Sequence, residues 1–89
     1  MPKVRIPTPL RPHAGGLDTV LAAGTTVGEV LGNVGESYPA LRERIFDGAD
    51  LRRFVNVYVN DEDIRYLDEL ATPVAETDEV SIIPAVAGG

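Results

Sequence analysis

The stretch Phe54-Val55-Asn56-Val57-Tyr58-Val59 constrains the fold more than any other. Successive side chains of a strand point to opposite faces, so Val55, Val57 and Val59 form one apolar face, with Phe54, Asn56 and Tyr58 on the other. A strand with one apolar face needs neighbours to pair with and an element to cover it.

The covering element is legible too. Thr26-Val27-Gly28-Glu29 has the form of a capping box: the Thr26 hydroxyl accepts from the Glu29 backbone, and the Glu29 carboxylate reaches back to the Thr26 amide. Val27, Val30, Leu31, Val34 and Tyr38 then recur at helical spacing, until Pro39 forces Tyr38 out of helical geometry. Each of Gly28, Gly32 and Gly35 costs a helix interior about 1 kcal/mol against alanine. The predicted helix over 26–38 therefore depends on packing against a sheet.

Other elements follow from local pattern. Val4 and Ile6 alternate with polar neighbours as a first strand, and Leu17 to Ala22 returns as a second. Between them, Pro7, Pro9, Pro12 and the pair Gly15-Gly16 predict an irregular loop or hairpin connection. Ala40 to Phe46 predicts a short helical turn with Leu41 and Ile45 on one side, and Asp47-Gly48-Ala49-Asp50 a loop. Asn60-Asp61-Glu62-Asp63 is turn chemistry, after which Ile64-Arg65-Tyr66 is expected to return as a strand. Val80 and Ile82 belong to the last strand. Segregated helix and strands in this order predict an α+β domain whose mixed sheet is covered by one main helix.

Composition narrows the function. Eighty-nine residues, 44% hydrophobic and 25% charged, make one ordinary globular domain. No apolar run approaches the ~18 residues needed to cross a bilayer, and Met1 to Arg5 lacks a signal-peptide core, which predicts a cytoplasmic protein with no membrane partner. The absence of cysteine removes disulfides and thiolate chemistry, and a single histidine leaves no His pair, so no metal site is expected. A net charge of -6 argues against nucleic acid. The charge is uneven: from Phe54 onward eight acids face one base, Arg65, which suits a basic partner surface. His13 is the one group that titrates near neutrality, yet it has no Ser or Cys nucleophile beside it and reads as a surface histidine. Asp61, Glu62 and Asp63 read as three exposed acids at a hairpin tip.

The last nine residues, Ser81-Ile82-Ile83-Pro84-Ala85-Val86-Ala87-Gly88-Gly89, carry a strand-like run into two glycines. Residues without Cβ make a thin thread that a narrow protein channel can enclose. Val86 to Gly89, if extended, reaches roughly 13 Å.

These residues carry a resemblance over essentially the whole chain. "VSIIPAVAGG" resembles the end of the MoaD/ThiS sulfur carriers, and "VNVYVNDEDIR" resembles their central hairpin, with Asp61 where that family commonly has glycine. "IPTPLRPHAGG", "RFVNVYVNDEDIR" and "PAVAGG" together resemble the narrower CysO-type group of cysteine synthesis. The resemblance implies a ubiquitin-like β-grasp domain over residues 1–87 and a flexible Gly-Gly tail at 88–89. It implies a carrier, not an enzyme, whose Gly89 carboxylate is adenylated and converted to a thiocarboxylate by a ubiquitin-activator-like enzyme. Val86, Ala87 and Gly88 would thread the partner's channel. Phe54, Asn56, Tyr58, Asp61, Glu62 and Ile83 would be docking candidates. A cysteine synthase and a JAMM-type zinc peptidase complete the implied partners; Mg-ATP and PLP would belong to those enzymes, with no cofactor bound here. Sulfur delivery for molybdopterin, thiamine or tRNA thiolation, and attachment to other proteins as a modifier, are the alternatives.

Overall fold

The computed structural model describes residues 1–84. Five strands form one mixed sheet: β1 (Lys3–Arg5), β2 (Thr19–Leu21), β5 (Val55–Val59), β6 (Glu62–Asp63) and β7 (Glu79–Pro84), in the order β2-β1-β7-β5-β6. β7 lies at the centre, parallel to β1 on one side and antiparallel to β5 on the other. A separate two-stranded ribbon joins β3 (Phe46–Asp47) to β4 (Asp50–Leu51).

Helix α1 (Val27–Ser37) covers one face. Its N-terminus is capped as expected, with the Glu29 amide donating to Thr26 Oγ1 at 3.2 Å. The Glu29 carboxylate reaches one residue further back than a capping box requires, accepting from the Thr25 amide at 2.8 Å and the Thr25 hydroxyl at 2.9 Å. These bonds, the backbone one foremost, lower the Glu29 pKa. Val27, Val30, Leu31 and Val34 are buried with Val4, Ile6, Val57 and Ile82, as the stripe predicts; Val55 is only half-buried.

Two helix glycines have packing reasons. A Cβ on Gly28 would stand 3.2 Å from the Leu70 carbonyl oxygen, and one on Gly35 3.0 Å from Arg42 Cβ. Gly35 thus lets α1 approach α2 (Pro39–Ile45), a seven-residue helix rather than a single turn, which buries Leu41 and Ile45. Pro39 suits its first position, where the missing N–H has no helical partner.

Three expectations are corrected. The proline segment is not irregular: Thr8–Ala14 forms a 3-10 helix that buries Leu10 and Ala14 and packs against α2. Proline's fixed φ near −65° lies within the 3-10 range, so the residues that block a ladder also pre-set this helix. Ile64–Tyr66 is a 3-10 turn with Ile64 buried, and the return strand is Glu62–Asp63, paired with Tyr58 and Val59. Asp47 to Asp50 is the turn of the β3–β4 ribbon, with Gly48 at φ 67°. The predicted boundary between 1–87 and 88–89 falls outside the described residues.

Candidate functional site

Among the described residues, no helix covers the sheet face opposite α1. β7 alternates Val80 and Ile82 inward with Ser81 and Ile83 outward; β5 alternates Val57 and Val59 inward with Asn56 and Tyr58 outward. Asn56 stands opposite Ile83, Tyr58 opposite Ser81, and Val55 opposite Pro84. Pro84 therefore lies at the Val55 end of β5, where Phe54 is 51% exposed and Ile83 46% exposed. Two large apolar side chains left in water beside the root of the tail form the apolar part of the site.

The acids lie elsewhere. β5 and β7 are antiparallel, so Asp61 and Glu62, beyond Val59, sit at the opposite end of β5 from Pro84. Five residues at about 3.3 Å each separate the two ends by roughly 17 Å. Phe54, Asn56 and Ile83 are thus gathered at the tail end, Tyr58 stands midway, and Asp61 and Glu62 belong to a distinct exposed corner.

Asp63 is a further correction, because it is buried rather than exposed. Its Oδ2 accepts from Arg65 Nη2 at 2.8 Å, and its Oδ1 accepts from the Arg65 backbone amide at 2.9 Å. The guanidinium, chiefly, and that amide hold the Asp63 carboxyl below its usual range, while the Arg65 pKa is raised. The local acidic cluster is therefore two exposed carboxylates beside one internally neutralised pair. Arg5 and Glu79 form a looser ion pair on the open face, at 3.8 Å with both side chains exposed.

A second network is absent from the sequence reading. Asn60, at φ 55°, donates from Nδ2 to Asp78 Oδ1 at 3.1 Å and accepts on Oδ1 from the Glu79 amide at 3.1 Å. Asp78 also accepts from the Ala75 amide at 2.8 Å, and this bond, ahead of the one from Asn60, lowers its pKa. The network ties the turn after β5 to the start of β7. Tight Asn-containing turns are a sequence signal, but a partner eighteen residues away is not.

His13 sits half-buried in the 3-10 helix between β1 and β2, on an element packed against α2 rather than in the β5–β7 pair. Among the described residues, no three His, Cys, Asp or Glu side chains gather into a metal-binding cluster, and no helix is long and apolar enough to cross a membrane. Val86, Ala87, Gly88 and Gly89, the predicted reacting tail, lie outside the described residues.

A mixed sheet with parallel β1 and β7 at its centre, crossed on one face by α1, is the ubiquitin-like β-grasp fold. The chain belongs to the ThiS family, which it matches over residues 4–89. It is 51% identical over 89 residues to the sulfur carrier protein CysO of Mycobacterium tuberculosis, covering 97% of this chain and 96% of that one. It is 38% identical over 64 residues to small archaeal modifier protein 3 of Haloferax volcanii, covering 72% and 70%. In the crystal structure of the Amycolatopsis orientalis BexX/CysO complex, a chain 44% identical superposes with a TM-score of 0.92, both chains covered in full.

Proposed function

We propose that this protein is a sulfur carrier, with Gly89 as the residue that bears the sulfur. The observation that carries the reading is the 51% identity to the M. tuberculosis sulfur carrier CysO over 97% of this chain. The ThiS-family match extends through residue 89.

A carboxylate is a poor electrophile. An activating enzyme of the ubiquitin-activator kind joins the Gly89 carboxylate to the α-phosphorus of Mg-ATP, releasing pyrophosphate. A persulfide on the sulfur donor then attacks the acyl carbon and AMP departs with the bonding pair; a second thiol attacks the donor sulfur of the resulting acyl disulfide, forming a disulfide on the donor and releasing the thiocarboxylate. The acceptor in this reading is a PLP-dependent cysteine synthase, from whose product a JAMM-type zinc peptidase releases cysteine. Both cofactors reside on those enzymes. The CysO relative that crystallises with BexX supports a carrier that docks onto partner enzymes.

The chain's own contribution is positioning. β7 is paired with β1 over Glu79 to Ser81 and with β5 from Val80 on to Pro84, opposite Val55, which anchors the root of the tail. Phe54, Asn56 and Ile83 beside that root are the docking surface, and Val86, Ala87 and Gly88 pass through the partner's channel. Incubation with the activating enzyme, ATP and a sulfur donor, followed by intact-protein mass spectrometry, should show one oxygen replaced by one sulfur. A protein that never gains that sulfur overturns the proposal.

Similarity to small archaeal modifier protein 3 favours a second reading, in which the activated Gly89 is joined to amines of other proteins. An amide-linked, higher-mass product in the same incubation with a cell extract would identify that use.

A further inference from the structure

A groove of about 630 Å³ lies between β2 and the later turns of α1. β2 is an edge strand. The Ile6 amide donates to the Asp18 carbonyl at 2.8 Å and the Ala22 amide to the Pro2 carbonyl at 3.2 Å, so Asp18, Val20 and Ala22 turn their backbones toward β1. Thr19 and Leu21 accordingly turn their N–H and C=O groups outward, over the groove. Val34 and Tyr38 contribute apolar surface, and Met1, Leu17 and Leu21 leave apolar side chains exposed around it. One end is closed by Asn33, whose Nδ2 donates to the Ala23 carbonyl at 2.7 Å.

We infer that this groove binds an extended peptide, which adds a strand to β2 and carries lysine or arginine at one end. The row of outward amides and carbonyls selects an extended backbone, because only a strand satisfies donors and acceptors at alternate residues. Every second side chain of the added strand would face Val34 and Tyr38, which selects apolar residues there. Charge selects the flank: Glu36 is the one ionisable side chain besides the Tyr38 phenol lining the groove, and Asp18 stands exposed next to Thr19. Tyr38 packs beside Gly15 and Asn33 beside Ala23, so Glu36 and Asp18 share the Leu17 end, and the basic residues would lie there. A second copy of the chain is the poorer occupant, since two bodies of net charge -6 repel. The inference is independent of sulfur chemistry at Gly89.

The test is an NMR titration of the protein with the synthetic peptide KKVTVTV, capped at both ends. Amide shifts should centre on Thr19, Leu21, Asn33 and Tyr38. Leu21→Pro removes one outward donor and should weaken binding at least about tenfold. Replacing both lysines by glutamate should weaken it about two- to fivefold, and less so in high salt. Should Leu21→Pro fail to fold, a peptide N-methylated at alternate residues, which lacks the edge donors, should lose binding to the unaltered protein by the same margin. The inference is overturned if shifts centre on Asn56, Tyr58 and Ser81, if none appear at millimolar peptide, or if the glutamate peptide binds equally well. A dimer of the protein alone that Leu21→Pro dissolves would overturn it in favour of a second copy.

Discussion

The Asn60 side chain donates to Asp78 at 3.1 Å across eighteen residues of sequence, and it does so from a left-handed backbone, φ 55°. Asn60→Ala removes that bond and places a Cβ-bearing residue without a local partner in the αL region. The loss should be about 1–3 kcal/mol in chemical denaturation. Asn60→Gly relieves the backbone term and should recover part of it. Equal midpoints for all three proteins would show that the turn is held by the backbone bond from Asn60 to Glu79 instead.

Acid should act on Asp78 and on two carboxyls outside that network. Asp63, Asp78 and Glu29 all have pKa values lowered in the folded state, by Arg65, by the Ala75 amide and by Thr25 respectively. A depressed carboxyl contributes stability that is fully present above its unfolded value, about 4. That stability is lost as pH falls through the folded values. Thermal midpoints should be flat from neutrality down to about pH 5 and fall steeply below about pH 4, and Asp63→Asn should flatten the fall.

The helix glycines should separate cleanly. Gly32 has nothing within 4 Å of an added Cβ, so Gly32→Ala should stabilise by up to about 1 kcal/mol. Gly35→Ala should destabilise, because its Cβ would press on Arg42 at the α1–α2 contact. Leu31→Ala, at a fully buried position, should cost about 2–5 kcal/mol. Urea midpoints measure all three.

At the tail root, Phe54→Ala and Ile83→Ala should raise the activating enzyme's KM for this protein several-fold. Asp61→Asn with Glu62→Gln should change only the association rate, and only in low salt. Stopped-flow binding at two ionic strengths distinguishes these outcomes. Larger losses from the acid pair than from the apolar pair would move the docking surface to the far end of β5.

Deleting Gly89, or adding one residue after it, should alter stability by no more than about 0.5 kcal/mol. Sulfur loading should nevertheless be abolished, since a reacting group misplaced by about 1 Å loses on the order of a hundredfold in rate. Intact mass after the loading reaction reads the result directly. Equal loading of the extended variant would remove Gly89 from its proposed role.

What could be read from the sequence was local and periodic. Val55 to Val59 announce a strand by alternation, and Val27 to Val34 a helix by spacing and cap. Thr8 to Ala14 departs from the expected loop because prolines that break a strand ladder also carry a fixed φ that suits a 3-10 helix. Ile64 looked like strand because it is apolar and follows turn residues; in the fold it is buried by a turn that the Asp63–Arg65 pair holds. In β5, alternation puts Asn56 and Tyr58 on the face opposite Val57 and Val59, while Phe54 lies in the turn just before the strand. The separation of Asp61 from the tail root was hidden, because it depends on β7 running antiparallel to β5, and strand order leaves no periodic trace.

The central place of β7 also bears on how the chain is made. Until residues 79–84 are available, β2–β1 and β5–β6 are two separate ribbons, and two-stranded ribbons are marginal in water. Translation supplies the middle of this sheet after both of its flanks. A ribosome that stalls before β7 therefore releases a product without a finished sheet, open to proteolysis, and only a chain that has already made the root of the tail acquires the stability to persist.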